Sequence, residues 1–119
     1  MDIEHVRITA LGLPHVTERQ PYGPDCLVFE IGGKQFCLVD LTGKWQFFNV
    51  KVDPDHSVEL RERYNAIRPG FHMNKRHWIS VDFDGDAPDS LQRELIERAY
   101  IIVRDRLPRK IRATLNSNE

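Results

Sequence analysis

The stretch Leu27-Val28-Phe29-Glu30-Ile31, Gly32-Gly33, Lys34-Gln35-Phe36-Cys37-Leu38-Val39-Asp40 constrains this chain more than any other. Two runs rich in β-branched, aromatic and aliphatic residues flank a pair of glycines. Glycine accepts the positive φ that a two-residue hairpin turn demands. With Gly32 and Gly33 as the turn, the register follows: Ile31 opposite Lys34, Phe29 opposite Phe36, Leu27 opposite Leu38. These residues form one face, almost wholly apolar, that is expected to meet the core. Cys26, Val28, Glu30, Gln35, Cys37 and Val39 fall on the other face. The two cysteines become diagonal neighbours about 7 Å apart, which disfavours a disulfide. Both are expected to be reduced and buried.

The rest of the pattern builds around this hairpin. Ile3, Val6, Ala10 and Leu13 have helical spacing, which predicts a helix over 2–12 stopped by Gly12 and Pro14. Residues 21–25 (P-Y-G-P-D) and 41–44 (L-T-G-K) read as turns, and 45–52 as a third strand. Asp53 followed by Pro54 is a helix start, predicting a helix over 54–65 with Val58, Leu60 and Tyr64 inward and Arg68-Pro69-Gly70 as its end. Residues 71–76 are a short partner strand or an ordered loop. In 78–83, Ile79, Val81 and Phe83 face one way and Trp78, Ser80 and Asp82 the other. Leu91, Leu95, Ala99, Ile102 and Val103 stripe a last helix over 88–107, with Asp86 and Asp89 at its start and Pro108 as its stop. The order is α-β-β-β-α-(β)-β-α. The fold class expected is α+β, two layers, an antiparallel sheet with helices on one face, as one domain over 1–119.

Composition bounds the alternatives. With 40% hydrophobic and 29% charged residues in 119, the chain is too apolar for disorder and long enough for one self-sufficient core. No apolar run approaches the roughly 18 residues of a membrane span. The opening M-D-I-E-H-V-R lacks the basic-then-apolar order of a signal segment, so a cytoplasmic location is expected. The net charge of −1 argues against strong non-specific polyanion binding, yet the charge is uneven. Arg61, Arg63, Arg68, Lys75 and Arg76 face only Glu62 within 61–76, and Arg104, Arg106, Arg109, Lys110 and Arg112 face only Asp105 within 104–112.

The segment F-H-M-N-K-R-H-W (71–78) is the richest in binding chemistry. Arg68, Lys75 and Arg76 suit phosphates, His72 and Asn74 could reach base edges, and an exposed Trp78 could stack on a base. The competing reading has Trp78 covering the second face of the sheet beneath solvated charges. His72 and His77, even with His56 or His15, lack an established metal-ligand spacing. D-F-D-G-D-A-P-D (82–89) fails as a calcium loop, because Gly85 stands fourth rather than sixth and Arg93 occupies the twelfth position. Gly32-Gly33-Lys34 lacks the frame of a phosphate loop. No metal, cofactor or catalytic residue is therefore nominated.

Three blocks in this order resemble the MmcQ/YjbR family of small bacterial proteins: Y-G-P-D-C-L-V-F-E-I-G-G-K-Q-F (22–36), the Asp53-Pro54 helix start, and R-P-G-F-H-M-N-K-R-H-W-I-S-V (68–81). The resemblance covers about Val6 to Leu107 and departs at Ala99-Tyr100, where the family pattern often has Ser-Tyr. It implies a two-layer α/β fold like that of type III secretion chaperones, loosely comparable with frataxin-like domains. It also implies a DNA-binding role of the kind proposed for such proteins, without an established substrate, cofactor or catalytic residue. The expectation is a non-enzymatic binding domain with DNA as the leading partner, through Arg68, His72, Asn74, Lys75, Arg76 and Trp78. A protein-binding or chaperone-like adaptor presenting Trp45 and Trp78 is the runner-up, and an unrecognised enzyme comes third.

Overall fold

The structure, a computed structural model, describes residues 1–117. Its elements are α1 (Ile3–Leu11), β1 (Thr17–Arg19), β2 (Cys26–Ile31), β3 (Lys34–Asp40), β4 (Phe47–Lys51), α2 (Pro54–Arg63), β5 (Ile67–Pro69), β6 (Trp78–Asp82), α3 (Asp89–Asp105) and α4 (Arg109–Ser117). The strands form one antiparallel sheet in the order β1-β2-β3-β4-β6-β5. One sheet face supplies Phe29, Ile31, Phe36, Phe48, Val50, Ile79 and Val81 to a single core. Val6 and Ala10 of α1, Leu60 of α2, Leu95, Ile96, Ala99 and Val103 of α3, and Ile111 and Leu115 of α4 complete it. All four helices thus pack on one face, as the α+β reading expects. Among the described residues no helix is long and apolar enough to cross a membrane.

The hairpin departs from the expected register. Ile31 pairs with Lys34 and Glu30 with Gln35, but Phe29 then pairs with Cys37, Val28 with Leu38 and Leu27 with Val39. Phe36 is the extra residue of a β-bulge, the device that lets one strand place two consecutive side chains on the same side. Phe29 and Phe36 are both fully buried in the core, though not as cross-strand partners. The bulge swaps the expected faces of the outer half of β3. Cys37 and Val39 join the core, while Leu38 joins Val28, Trp78 and half-buried Cys26 on the opposite face. The cysteines therefore lie on opposite sides of the sheet rather than sharing one. Burial pushes the Cys37 thiol pKa far up.

The turn glycines are not equivalent. Both have positive φ, but a Cβ on Gly32 would meet Leu107 Cδ1 at 2.7 Å and Ile111 Cγ2 at 3.0 Å, whereas Gly33 faces open space. The turn is the seat for the junction of α3 and α4. Pro108, expected as the stop of the last helix, also opens α4, its carbonyl accepting N–H bonds from Ile111 (3.0 Å) and Arg112 (3.1 Å). Other corrections concern edges. β1 is a polar, wholly exposed edge strand with no periodicity to reveal it. β5 occupies 67–69, read as a helix stop, and residues 71–76 are a loop. The third strand starts at Phe47, because Trp45 belongs to the preceding loop. In α2, Ser57 and Leu60 face inward and Val58 outward, since a short helix has room for only one buried stripe.

Three acids of 82–89 hold neighbouring parts of the chain. Asp82 pairs with Arg68, Asp89 with the Met1 ammonium (2.9 Å), and Asp86 accepts N–H bonds from Asn65 and Ala66, both at 2.8 Å. Those bonds, from Ala66 first and then Asn65, hold the Asp86 carboxyl below the ordinary carboxylate range.

Candidate binding groove on the helix-free face

The face opposite the helices carries little apolar cover of its own: Val28, Leu38 and Trp78, flanked by Cys26 and Met73. At its centre stand two polar residues, Asn49 on β4 and Ser80 on β6, which are register partners. Ser80 is fully buried and Asn49 nearly so, and their hydrogen bonds are made within the protein. Ser80 Oγ donates to Asn49 Oδ1, the Phe71 N–H donates to Ser80 Oγ at 2.9 Å, and Asn49 Nδ2 donates to the Phe71 carbonyl at 3.1 Å. This closed triangle pins the 70–77 loop over the sheet.

The loop is shaped from within. Gly70 N–H donates to the Trp78 carbonyl (2.9 Å) and Lys75 Nζ donates to the Gly70 carbonyl. Asn74 Oδ1 accepts the N–H groups of Arg76 (2.9 Å) and His77 (3.2 Å). His72 takes a left-handed φ of 60°, and its ring lies 4.0 Å from that of Phe71.

Between this loop and the 40–47 segment lies a groove of about 610 Å³. Leu38, Val39 and Asn49 lie along the strands beneath it, with Cys26 and Gln35 on the side of β2 and β3. Trp45, Phe47 and Phe71 form a mutually packed aromatic wall, with ring centroids 5.3 to 6.1 Å apart. His72, Met73 and Asn74 continue it, and Tyr22 stands across, its hydroxyl donating to Gln35 Oε1 at 2.9 Å. Asp40 is the one carboxylate in the lining, and no Lys or Arg lines the groove among the described residues. Asp40 Oδ2 also accepts from Thr42 Oγ1 (2.6 Å) and from the Trp45 N–H (3.3 Å), fixing the loop that carries Trp45. Burial, and then Asp40, raise the Cys26 thiol pKa.

The residues nominated from sequence are dispersed by this geometry. His72 and Asn74 reach the groove lining. Arg68 donates to Asp82 Oδ1 at 2.6 Å and lies over the Phe47 ring at 5.1 Å. Lys75 is exposed but turned onto the Gly70 carbonyl. Arg76 is exposed and borders a different hollow, with Asp53, Asp55 and Glu59. Trp78 is on the face that parity assigned to it but is only 5% exposed, so it is no stacking platform. Trp45 stands out in the sequence by its indole, whereas Tyr22, Phe47, Asn49 and Phe71 enter the site only through the fold. The available signal was the pair Asn49 and Ser80, polar residues set within otherwise apolar strands. Among the described residues no group of three His, Cys, Asp or Glu side chains is placed to hold a metal.

The YjbR family model matches residues 11–102. The chain is 40% identical to the uncharacterized protein YbdF of Escherichia coli O157:H7, over 90% of this chain and 88% of the relative. It is 32% identical to the uncharacterized protein YyaQ of Bacillus subtilis, over 74% and 70% of the two chains. The crystal structure of Deinococcus radiodurans protein DR2400 superposes with a TM-score of 0.89 at 32% identity, covering 97% of this chain and 88% of that one. A Pseudomonas syringae protein at 24% identity shares the fold with a TM-score of 0.70, over 86% and 98% of the two chains.

Proposed function

This chain belongs to the YjbR family, and we propose that it is a binding domain whose groove on the helix-free face takes an apolar or ring-bearing segment of a partner protein. The observation that carries this reading is the groove itself. It has the size of a ligand site, an aromatic wall, a few fixed polar groups and no cationic lining. Trp45 and Tyr22, 40% and 63% exposed, are rigid amphipathic rings of the kind that dominate binding energy in protein interfaces. A titration with the blocked amino acid N-acetyl-phenylalaninamide, followed by NMR, tests it. Amides of Trp45, Asn49 and residues 71–74 should shift together, and Trp45→Ala should weaken binding. Shifts scattered over the helical face, or none at millimolar probe, would remove the reading.

A second reading is duplex DNA bound by the outer surface of the 70–77 loop. One observation favours it: His72, Asn74, Lys75 and Arg76 are all exposed there. Lys75 and Arg76 would neutralise phosphates while Asn74 or His72 reach base edges. Against it stand the burial of Trp78, the Arg68–Asp82 pair and the acids around Arg76. Binding at low salt that weakens in Lys75→Ala/Arg76→Ala, with a log–log salt slope shallower by about two, would turn the assignment to DNA.

A further inference from the structure

Resting on the groove reading above, we infer that the segment it receives carries a positive charge beside its apolar residue, an amine or guanidinium held between the Trp45–Phe71 wall and Asp40. The groove and such a segment are complementary in charge. The groove lining contains a carboxylate, Asp40, and no Lys or Arg. Its wall is built from ring faces, which carry negative quadrupole density and attract cations within about 6 Å. The protein's own cations already exploit the same rings: Lys44 Nζ lies 5.2 Å from the Trp45 ring centroid and Arg68 lies 5.1 Å from that of Phe47. Neither of those cations lines the groove.

Arg68 is paired with Asp82, and the charge of Lys44 does not block a ligand cation. One placed on the opposite face of Trp45 from Lys44 would stand roughly 10 Å from it, beyond the screening length of about 8 Å at physiological ionic strength. Asp40, by contrast, belongs to the lining itself and is within direct reach. An acidic segment would meet the opposite situation, with a carboxylate opposite a carboxylate and electron-rich rings beside it. The same asymmetry argues against a phosphate in this groove.

The test compares three blocked dipeptides that differ in one side chain: N-acetyl-Phe-Lys-amide, N-acetyl-Phe-norleucine-amide and N-acetyl-Phe-Glu-amide. Groove resonances followed by NMR should give tightest binding to the lysine peptide, by about three- to tenfold over norleucine, which has a similar stem without the charge. The glutamate peptide should bind weakest. Asp40→Asn keeps an oxygen acceptor for Thr42 and Trp45, and it should lower the lysine-to-norleucine ratio, leaving only the share that the rings supply. Equal binding of lysine and norleucine peptides, or a preference undiminished by Asp40→Asn, overturns the inference and leaves the groove reading in place. Absence of groove shifts with all three peptides removes both.

Discussion

Asn49 and Ser80 stand opposite each other on neighbouring strands and hold the two main-chain groups of one residue, Asn49 the C=O and Ser80 the N–H of Phe71. The pair joins two links that are usually separate. Strand register brings the side chains together, and the bonds they make decide where a loop distant in the chain comes to rest. Because both side chains are buried, removing either leaves a polar partner unsatisfied.

Ser80→Ala should therefore destabilise the fold by about 1–3 kcal/mol, read as a lower urea midpoint with an unchanged slope. Asn49→Ala/Ser80→Ala should cost less than the sum of the single changes, since the groups belong to one network. Strict additivity in the double-mutant cycle would show that the triangle does not act as a unit.

Trp78 separates a core role from a surface one. Buried beneath the loop, its truncation to alanine should cost about 3–5 kcal/mol of stability. Arg76→Ala should change stability by no more than about 0.5 kcal/mol. A fully stable Trp78→Ala protein would place the indole outside the packing described above.

Phe29→Ala and Phe36→Ala should each cost about 3–5 kcal/mol, although the rings are not paired across the hairpin. Gly32→Ala should destabilise more than Gly33→Ala. Both positions carry positive φ, but only the first would drive a methyl group into Leu107 and Ile111. Thermal unfolding of the two glycine variants side by side checks this, and equal losses would contradict the seating of α4 on the turn.

The cysteines should react at very different rates. Cys37 is fully buried and Cys26 half-buried, with both thiol pKa values raised, so little thiolate exists near pH 8. A thiol reagent should label Cys26 slowly, accelerating as pH rises above the ordinary thiol range. Cys37 should be labelled only on unfolding, and comparable rates for the two in the native protein would refute their placement on opposite sides of the sheet.

Asp86 gives a pH dependence with a definite sign. Its folded pKa is held below that of the unfolded chain by the N–H groups of Ala66 and Asn65. Its stabilisation is present above the unfolded value of about 3.9 and is lost as pH falls through the lower folded value. Asp86→Ala should thus lower the melting temperature at pH 7, and the gap from the parent should narrow as pH drops below about 4. A gap constant down to pH 2 would mean the carboxylate's charge is not what matters.

Much of this architecture is legible in the residues because burial imposes periodicity. The alternation of Ile79, Val81 and Phe83 gives the core side of β6, and the Leu95–Ala99–Val103 stripe gives the buried side of α3. What escaped lacks that pattern. The bulge at Phe36 is hidden because Phe, Cys, Leu and Val run consecutively, so either parity looks apolar. β1 and β5 are short edges, where one side of the strand has no partner to satisfy. Of the groove, Trp45, His72 and Asn74 attracted attention through their chemistry. The aromatic wall required knowing that 45–47 and 71 come together, a contact set by the β4–β6 pairing rather than by any local motif.

The triangle at Asn49 and Ser80 recognises residue 71 only through its main chain. Whatever side chain other than proline stands at that position, the same two bonds remain available to hold the loop. Position, on this face, is decoupled from identity. The aromatic wall can be re-dressed at position 71 while its frame stays put, so a single scaffold could be retuned from one ligand to another without being refolded.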